Sequence, residues 1–124
     1  SLVAPVIQVK EVTEGSVGYG RHGKVDHNVK KIATICAGYA DGINRHLGRG
    51  AICFSVNGAS VPTIGNICMD ACMIDVTGVD VSAGDMVTVF GENPHPSEVA
   101  RVLKTITYEV FTSVSARVQR IVTD

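Results

Sequence analysis

Apolar and β-branched residues recur in short runs along the chain, and turn-forming residues separate them. "APVIQVKEV" (4–12) and "VKKIATICAGYA" (29–40) are the first two, both reading as strands. "AICFSV" and "ASVPTIG" flank Asn57-Gly58, a pair that tolerates positive φ at both positions and predicts a tight hairpin. "ACMIDVT" (71–77) and "DMVTVFG" (85–91) follow, with turn residues at both ends of the intervening "GVDVSAG". The period changes only after "NPHP". Val99, Val102, Leu103 and Ile106 are spaced by three or four, which predicts a helix over about 97–104 capped by Ser97. "ARVQRIV" (116–122) returns to a strand pattern. The expected fold is mainly β: a small antiparallel barrel or sandwich with one short helix in the C-terminal region.

Composition narrows the function classes. The 124 residues suit one domain with its own core, and 45% hydrophobic against 19% charged residues excludes a disordered chain. With 11 Lys and Arg against 12 Asp and Glu, spread evenly, there is no basic face for a phosphate backbone, so no nucleic-acid partner is expected. No apolar run approaches a bilayer span, and no secretory signal is visible. Cys36, Cys53, Cys68 and Cys72 lie among Ile, Val, Met and Phe, which predicts buried, reduced thiols. The one close pair, "CMDAC", lacks a second pair or a neighbouring histidine, so neither a metal site nor a disulfide framework is expected. A cytoplasmic protein fits these features.

Patterning alone leaves an enzyme domain and a non-catalytic β-barrel binding module equally open. Five stretches go further: "GYG" (18–20), "GYADG" (38–42), "GNICMDACMIDV" (65–76), "GDMVTVFG" (84–91) and "ITYEVFTSVSARVQR" (106–120). In this order they resemble the C-terminal domain of the alanine racemase family, with "GYADG" and "ICMD" the most specific. The resemblance implies a Greek-key β domain preceded in the whole enzyme by an N-terminal (β/α)₈ barrel. It further implies a head-to-tail homodimer, sites shared between subunits, and pyridoxal phosphate as the cofactor for interconverting L- and D-alanine. That reaction serves the supply of cell-wall peptidoglycan precursors. The barrel carries the cofactor lysine in this family, and Lys10, Lys24, Lys30, Lys31 and Lys104 do not match it. These 124 residues are therefore expected to be half an enzyme, inactive and without cofactor when isolated.

The resemblance also assigns residues. Racemisation removes a proton from one face of Cα and returns one to the other, so two bases on opposite sides are the natural solution. Tyr19, between Gly18 and Gly20, matches the tyrosine that serves the face opposite the barrel lysine. A phenol titrates near pH 10, so the family implies assistance from a barrel histidine backed by an arginine. Met69 matches the position whose backbone amide holds the substrate carboxylate. Tyr39, Asp41, Arg45, Asp70 and Ile106 match positions lining the access to the site, where Asp41 and Arg45 could pair. Tyr108 matches a tyrosine that hydrogen-bonds the cofactor phosphate. His22, His27, His46 and His95 match no catalytic position, and Arg117 and Arg120 are expected to stabilise the domain or the dimer. Asn66 stands where the family often has arginine, and "RHGKVDHN" (21–28) lacks the threonine–tyrosine pair often found there, which leaves open a serine racemase of the same family.

Overall fold

The structure is a computed structural model that describes residues 1–12 and 29–121. Its six strands are β1 (Leu2–Glu11), β2 (Lys31–Ile35), β3 (Cys53–Val56), β4 (Ala59–Ile64), β5 (Cys72–Asp75) and β6 (Met86–Phe90). They close into an antiparallel barrel in the order β1-β2-β5-β4-β3-β6. β3, β4 and β5 run side by side, and β6 returns beside β3, which is the Greek-key order. β1 joins both halves of the barrel. Its first residues, Leu2–Pro5, pair with β6, and Val6 and Gln8–Glu11 pair with β2. The register shifts between Leu2 and Val3 on one side and between Val6 and Gln8 on the other. Such irregularities bend a strand, as closure requires.

Side-chain alternation fills the interior. Leu2, Ala4 and Val6 point inward from β1 while Val3 and Ile7 are exposed. Phe54, Val56, Val61, Ile74, Val87 and Val89 complete the core from the other strands. Asn57 and Gly58 take φ of 50° and 81°, the tight hairpin expected between β3 and β4. Thr63 is the buried polar residue among those described, and it is satisfied: its hydroxyl donates to Leu47 O at 2.7 Å and accepts from Gly50 N–H at 3.1 Å.

Several expectations are corrected. β2 ends at Ile35, not near residue 40, because the chain leaves the barrel there to form short 3₁₀ turns at Tyr39–Asp41 and Arg45–Leu47. Two helices follow the barrel, not one: α1 (Pro96–Leu103) and α2 (Thr107–Thr112). The cap of α1 is His95, whose Nδ1 accepts from Ser97 N–H at 3.1 Å, with Pro96 at the first helical position. Ile106 is not on α1; it is the residue that opens α2. Residues 116–121 form no strand. The Arg120 guanidinium there donates to the carbonyls of Val114, Ser115 and Val118, bending the chain onto itself. Of the cysteines, Cys72 is buried and Cys68 half-buried, whereas Cys36 and Cys53 are exposed.

Candidate functional site

The site is built where the chain leaves β2. Asp41 fixes the first 3₁₀ turn, its Oδ2 accepting from Gly38 N–H at 2.9 Å. Gly38 itself has φ of −149°, ordinary extended backbone, so its glycine serves space and not conformation. A Cβ there would lie 2.1 Å from the Cys68 carbonyl oxygen and 2.5 Å from that of Met69. This absence of a side chain lets "GYADG" lie directly on "ICMD".

Two backbone hydrogen bonds make that seam. Tyr39 N–H donates to Cys68 O at 2.9 Å, and Ala40 N–H donates to Met69 O at 3.0 Å. In a trans peptide the C=O and N–H of one unit point in opposite directions. The Cys68 carbonyl faces Tyr39, so the Met69 N–H is turned away from the seam. By the same reasoning the Asp70 N–H is turned away too. Neither N–H has an acceptor among the described residues, and both Met69 and Asp70 are exposed. Successive N–H groups on one side of the backbone form an anion-binding concavity. The turn that holds them is closed by Cys68 N–H donating to Ala71 O at 2.9 Å.

A third segment locks the seam from outside. Arg117 Nε lies 2.8 Å from Asp41 Oδ1, and its Nη2 lies 2.9 Å from Asp70 Oδ1. The Asp70 hydrogen bond, then the charge of Asp41, hold this guanidinium above its usual pKa range. Ser115 N–H donates to Asp41 O at 3.2 Å, and Gly42 packs so closely that a Cβ would meet Ser113 O at 2.7 Å. Asp41 is thus paired with Arg117, not with Arg45 as expected. Arg45 instead lines an open depression with Tyr39, Gly42, Asn44, His46 and Ser113.

The structure therefore brings Tyr39, Asp41, Met69 and Asp70 into one cluster with Arg45 at its margin. Ile106 and Tyr108 stand apart at the start of α2, respectively about two turns and about one and a half turns from Ser113 at the other end. Both face solvent, Tyr108 at 74% exposure and with no hydrogen-bond partner for its hydroxyl among the described residues. α2 is anchored instead by Val110, buried, and by Phe111, which meets Phe90 edge-on at 5.8 Å between ring centroids. Tyr19 lies outside the described residues. Sequence reasoning did not single out Gly38 or the double pairing of Arg117, although both stand inside the stretches that carry the resemblance.

A phosphate-bearing cofactor needs hydrogen-bond donors that are not already committed, and the Tyr108 hydroxyl fits that need. No described lysine joins the cluster. Lys31 Nζ donates to Val79 O at 2.8 Å, and Lys104 ends α1. The described residues thus offer such a group an uncommitted donor and no covalent anchor. Among them, no group of three or more His, Cys, Asp and Glu side chains could hold a metal ion, and no helix is long and apolar enough to cross a membrane.

Comparison with known proteins agrees with this fold. The family model described as alanine racemase, C-terminal domain, matches residues 1–122. An alanine racemase of Methanococcus maripaludis is 44% identical over 98% of the chain, which covers 33% of that relative. One from Helicobacter acinonychis is 37% identical over 98% of the chain, again covering 33% of the relative. The crystal structure of the biosynthetic alanine racemase of Pseudomonas aeruginosa superimposes with a TM-score of 0.87 at 33% identity, over 98% of this chain and 34% of that one. The Bartonella henselae alanine racemase, solved with covalently bound pyridoxal phosphate, gives 0.86 at 32% identity, over 96% of this chain and 33% of that one. The chain spans about a third of the length of these relatives.

Proposed function

Since the chain belongs to the alanine racemase C-terminal domain family, we propose that it supplies the smaller domain of a cytoplasmic racemase interconverting L- and D-alanine. In this reading an N-terminal (β/α)₈ barrel binds pyridoxal phosphate through its lysine, and two subunits pair head to tail. Each site then draws on the barrel of one subunit and, Tyr108 apart, on this domain of the other. The D-alanine serves peptidoglycan precursors. The observation that carries the reading is the seam: "GYADG" laid on "ICMD", with the Met69 N–H turned outward and Tyr39 exposed.

Pyridoxal phosphate, when bound, withdraws electron density from Cα of the amino acid and so makes its proton removable. The residues of this chain do the rest on one face. The Met69 N–H donates to the substrate carboxylate, fixing the direction in which the Cα–H bond points. The Tyr19 phenolic oxygen takes or returns the proton at Cα, opposite the barrel lysine. Tyr108 donates to the cofactor phosphate within its own subunit. Tyr39, Asp41, Arg45, Asp70 and Ile106 narrow the access and exclude water from the reacting atoms.

The test uses the full-length protein. Tyr19→Phe keeps the ring and deletes the oxygen that moves the proton. Racemisation should fall by roughly 10²–10⁴-fold, the size expected for a positioned acid or base. Deuterium incorporation at Cα from heavy water should survive better for the enantiomer whose proton faces the lysine. Racemisation within a few-fold of wild type in both directions would remove Tyr19 from the chemistry.

A further inference from the structure

We propose that Arg117 is a positioning residue for the substrate carboxylate, acting through the Met69 and Asp70 amides; this rests on the racemase reading above. The seam between residues 38–40 and 68–70 consists of the two backbone hydrogen bonds at Tyr39 and Ala40. Those bonds are what turn the Met69 and Asp70 N–H groups outward. The 68–71 turn is exposed at Met69 and Asp70, and its own closure is the single Cys68 N–H to Ala71 O bond. Ser115 N–H holds the first segment through Asp41 O, and Arg117 links the two segments by side chain. Its guanidinium holds Asp41, which carries the first segment, and Asp70, which carries the second.

The chemistry suits arginine alone. Two donors set in a rigid plane reach two carboxylates at once, whereas a lysine ammonium on a flexible stem holds one geometry poorly. The Arg117–Asp70 arm is too exposed to matter much for stability, at 52% and 64%, whereas on the other arm the Asp41 carboxylate is only 13% exposed and is held also by the Gly38 N–H. The Asp70 arm, of small energetic value and placed across the seam, affects orientation more than folding. The Asp70 carboxylate is meanwhile drawn to Arg117, which lessens its repulsion of an incoming carboxylate at the adjacent amide.

The experiment compares wild type, Arg117→Ala and Arg117→Lys in the full-length protein, by amide hydrogen exchange and by steady-state racemisation of alanine. Arg117→Ala should speed exchange at Tyr39 and Ala40 by roughly ten-fold, while the melting temperature falls only slightly, because the Asp41 carboxylate keeps the Gly38 N–H. KM for alanine should rise roughly ten-fold with kcat within about three-fold, the signature of lost carboxylate binding and not of lost proton transfer. Arg117→Lys should fall between the two. Unchanged exchange at Tyr39 and Ala40 overturns the proposal. So does faster exchange with an unchanged KM, which would make the clamp structural only. So does an equal fall in kcat and kcat/KM. If wild type does not racemise alanine at all, the functional reading fails and the clamp's role in catalysis falls with it, whereas the exchange arm still measures its hold on the seam.

Discussion

Two glycines separate the reasons a position can exclude a side chain. Gly58 has φ of 81° and nothing within 4 Å of an added Cβ, so its constraint is purely conformational. Gly38 has extended backbone, yet an added Cβ would sit 2.1 Å from the Cys68 carbonyl oxygen, which cannot move without breaking the seam. Gly58→Ala should therefore cost about 1 kcal/mol, the left-handed penalty, and leave the site intact. Gly38→Ala should cost about 3 kcal/mol, at the upper end for overpacking, and free the 68–71 turn as well. Urea midpoints of both variants check the order, and equal costs would refute the spatial argument. The Asn57-Gly58 turn was legible in the sequence because its chemistry is local. Nothing local marks Gly38, since its need arises from carbonyls thirty residues away.

At the level of elements, the helix after the barrel was legible and its limits were not. Val99, Val102 and Leu103 share the face that packs on the core, and their three-to-four spacing shows it. The helix stops because Lys104 takes φ of 57°, the left-handed conformation usually given to glycine, so the sequence carries no stop signal there. Ile106 then continues the apparent period by coincidence while opening a separate helix. The start was misplaced because Ser97 is a common cap, whereas His95 supplies the acceptor one residue before Pro96. His95→Ala should thus destabilise by roughly 0.5–1 kcal/mol through the lost cap, with Ser97→Ala milder because its hydroxyl, 2.9 Å from His95 Nδ1, meets the ring and no backbone N–H. Val102→Pro should cost roughly 3 kcal/mol or more, since it deletes a helical donor and drives its ring into the preceding turn. Thermal unfolding of the three variants gives the ranking, and a Ser97→Ala loss larger than that of His95→Ala would reverse the assignment. The expected terminal strand failed for a related reason. Arg120 answers the carbonyls of Val114, Ser115 and Val118 locally, leaving them unavailable to a ladder.

For the whole molecule, alternation along each strand was enough to expect a barrel or sandwich, but closure depends on pairings that only the folded chain makes. β1 joins β6 across the sequence, and β5 lies beside β2 through Ile35 opposite Cys72. Cys72 sits in that closed wall at 1% exposure, and burial, with the neighbouring Cys68 second, pushes its thiol from 9.0 up to about 12. The unfolded chain therefore loses this proton near pH 9 while the folded one keeps it. More protons are bound in the folded state between those values, so stability falls as pH rises. The contribution is fully present below the unfolded value and is lost progressively from about 9 towards about 12. The slope should approach about 1.4 kcal/mol per pH unit for one group. Lysines and tyrosines titrate in the same range, so the measurement is a difference. Urea unfolding of wild type and Cys72→Ala at pH 8 and at pH 11 should show the wild type losing more stability on going alkaline, although Cys72→Ala starts lower because it leaves a small cavity. Thiol reagents should label the exposed Cys36 and Cys53 at pH 8 and leave Cys72 unreacted until the barrel opens. Equal alkaline losses in the two proteins, or labelling of Cys72 at the rate of Cys36, would mean that the wall between β2 and β5 admits water and does not hold the thiol protonated.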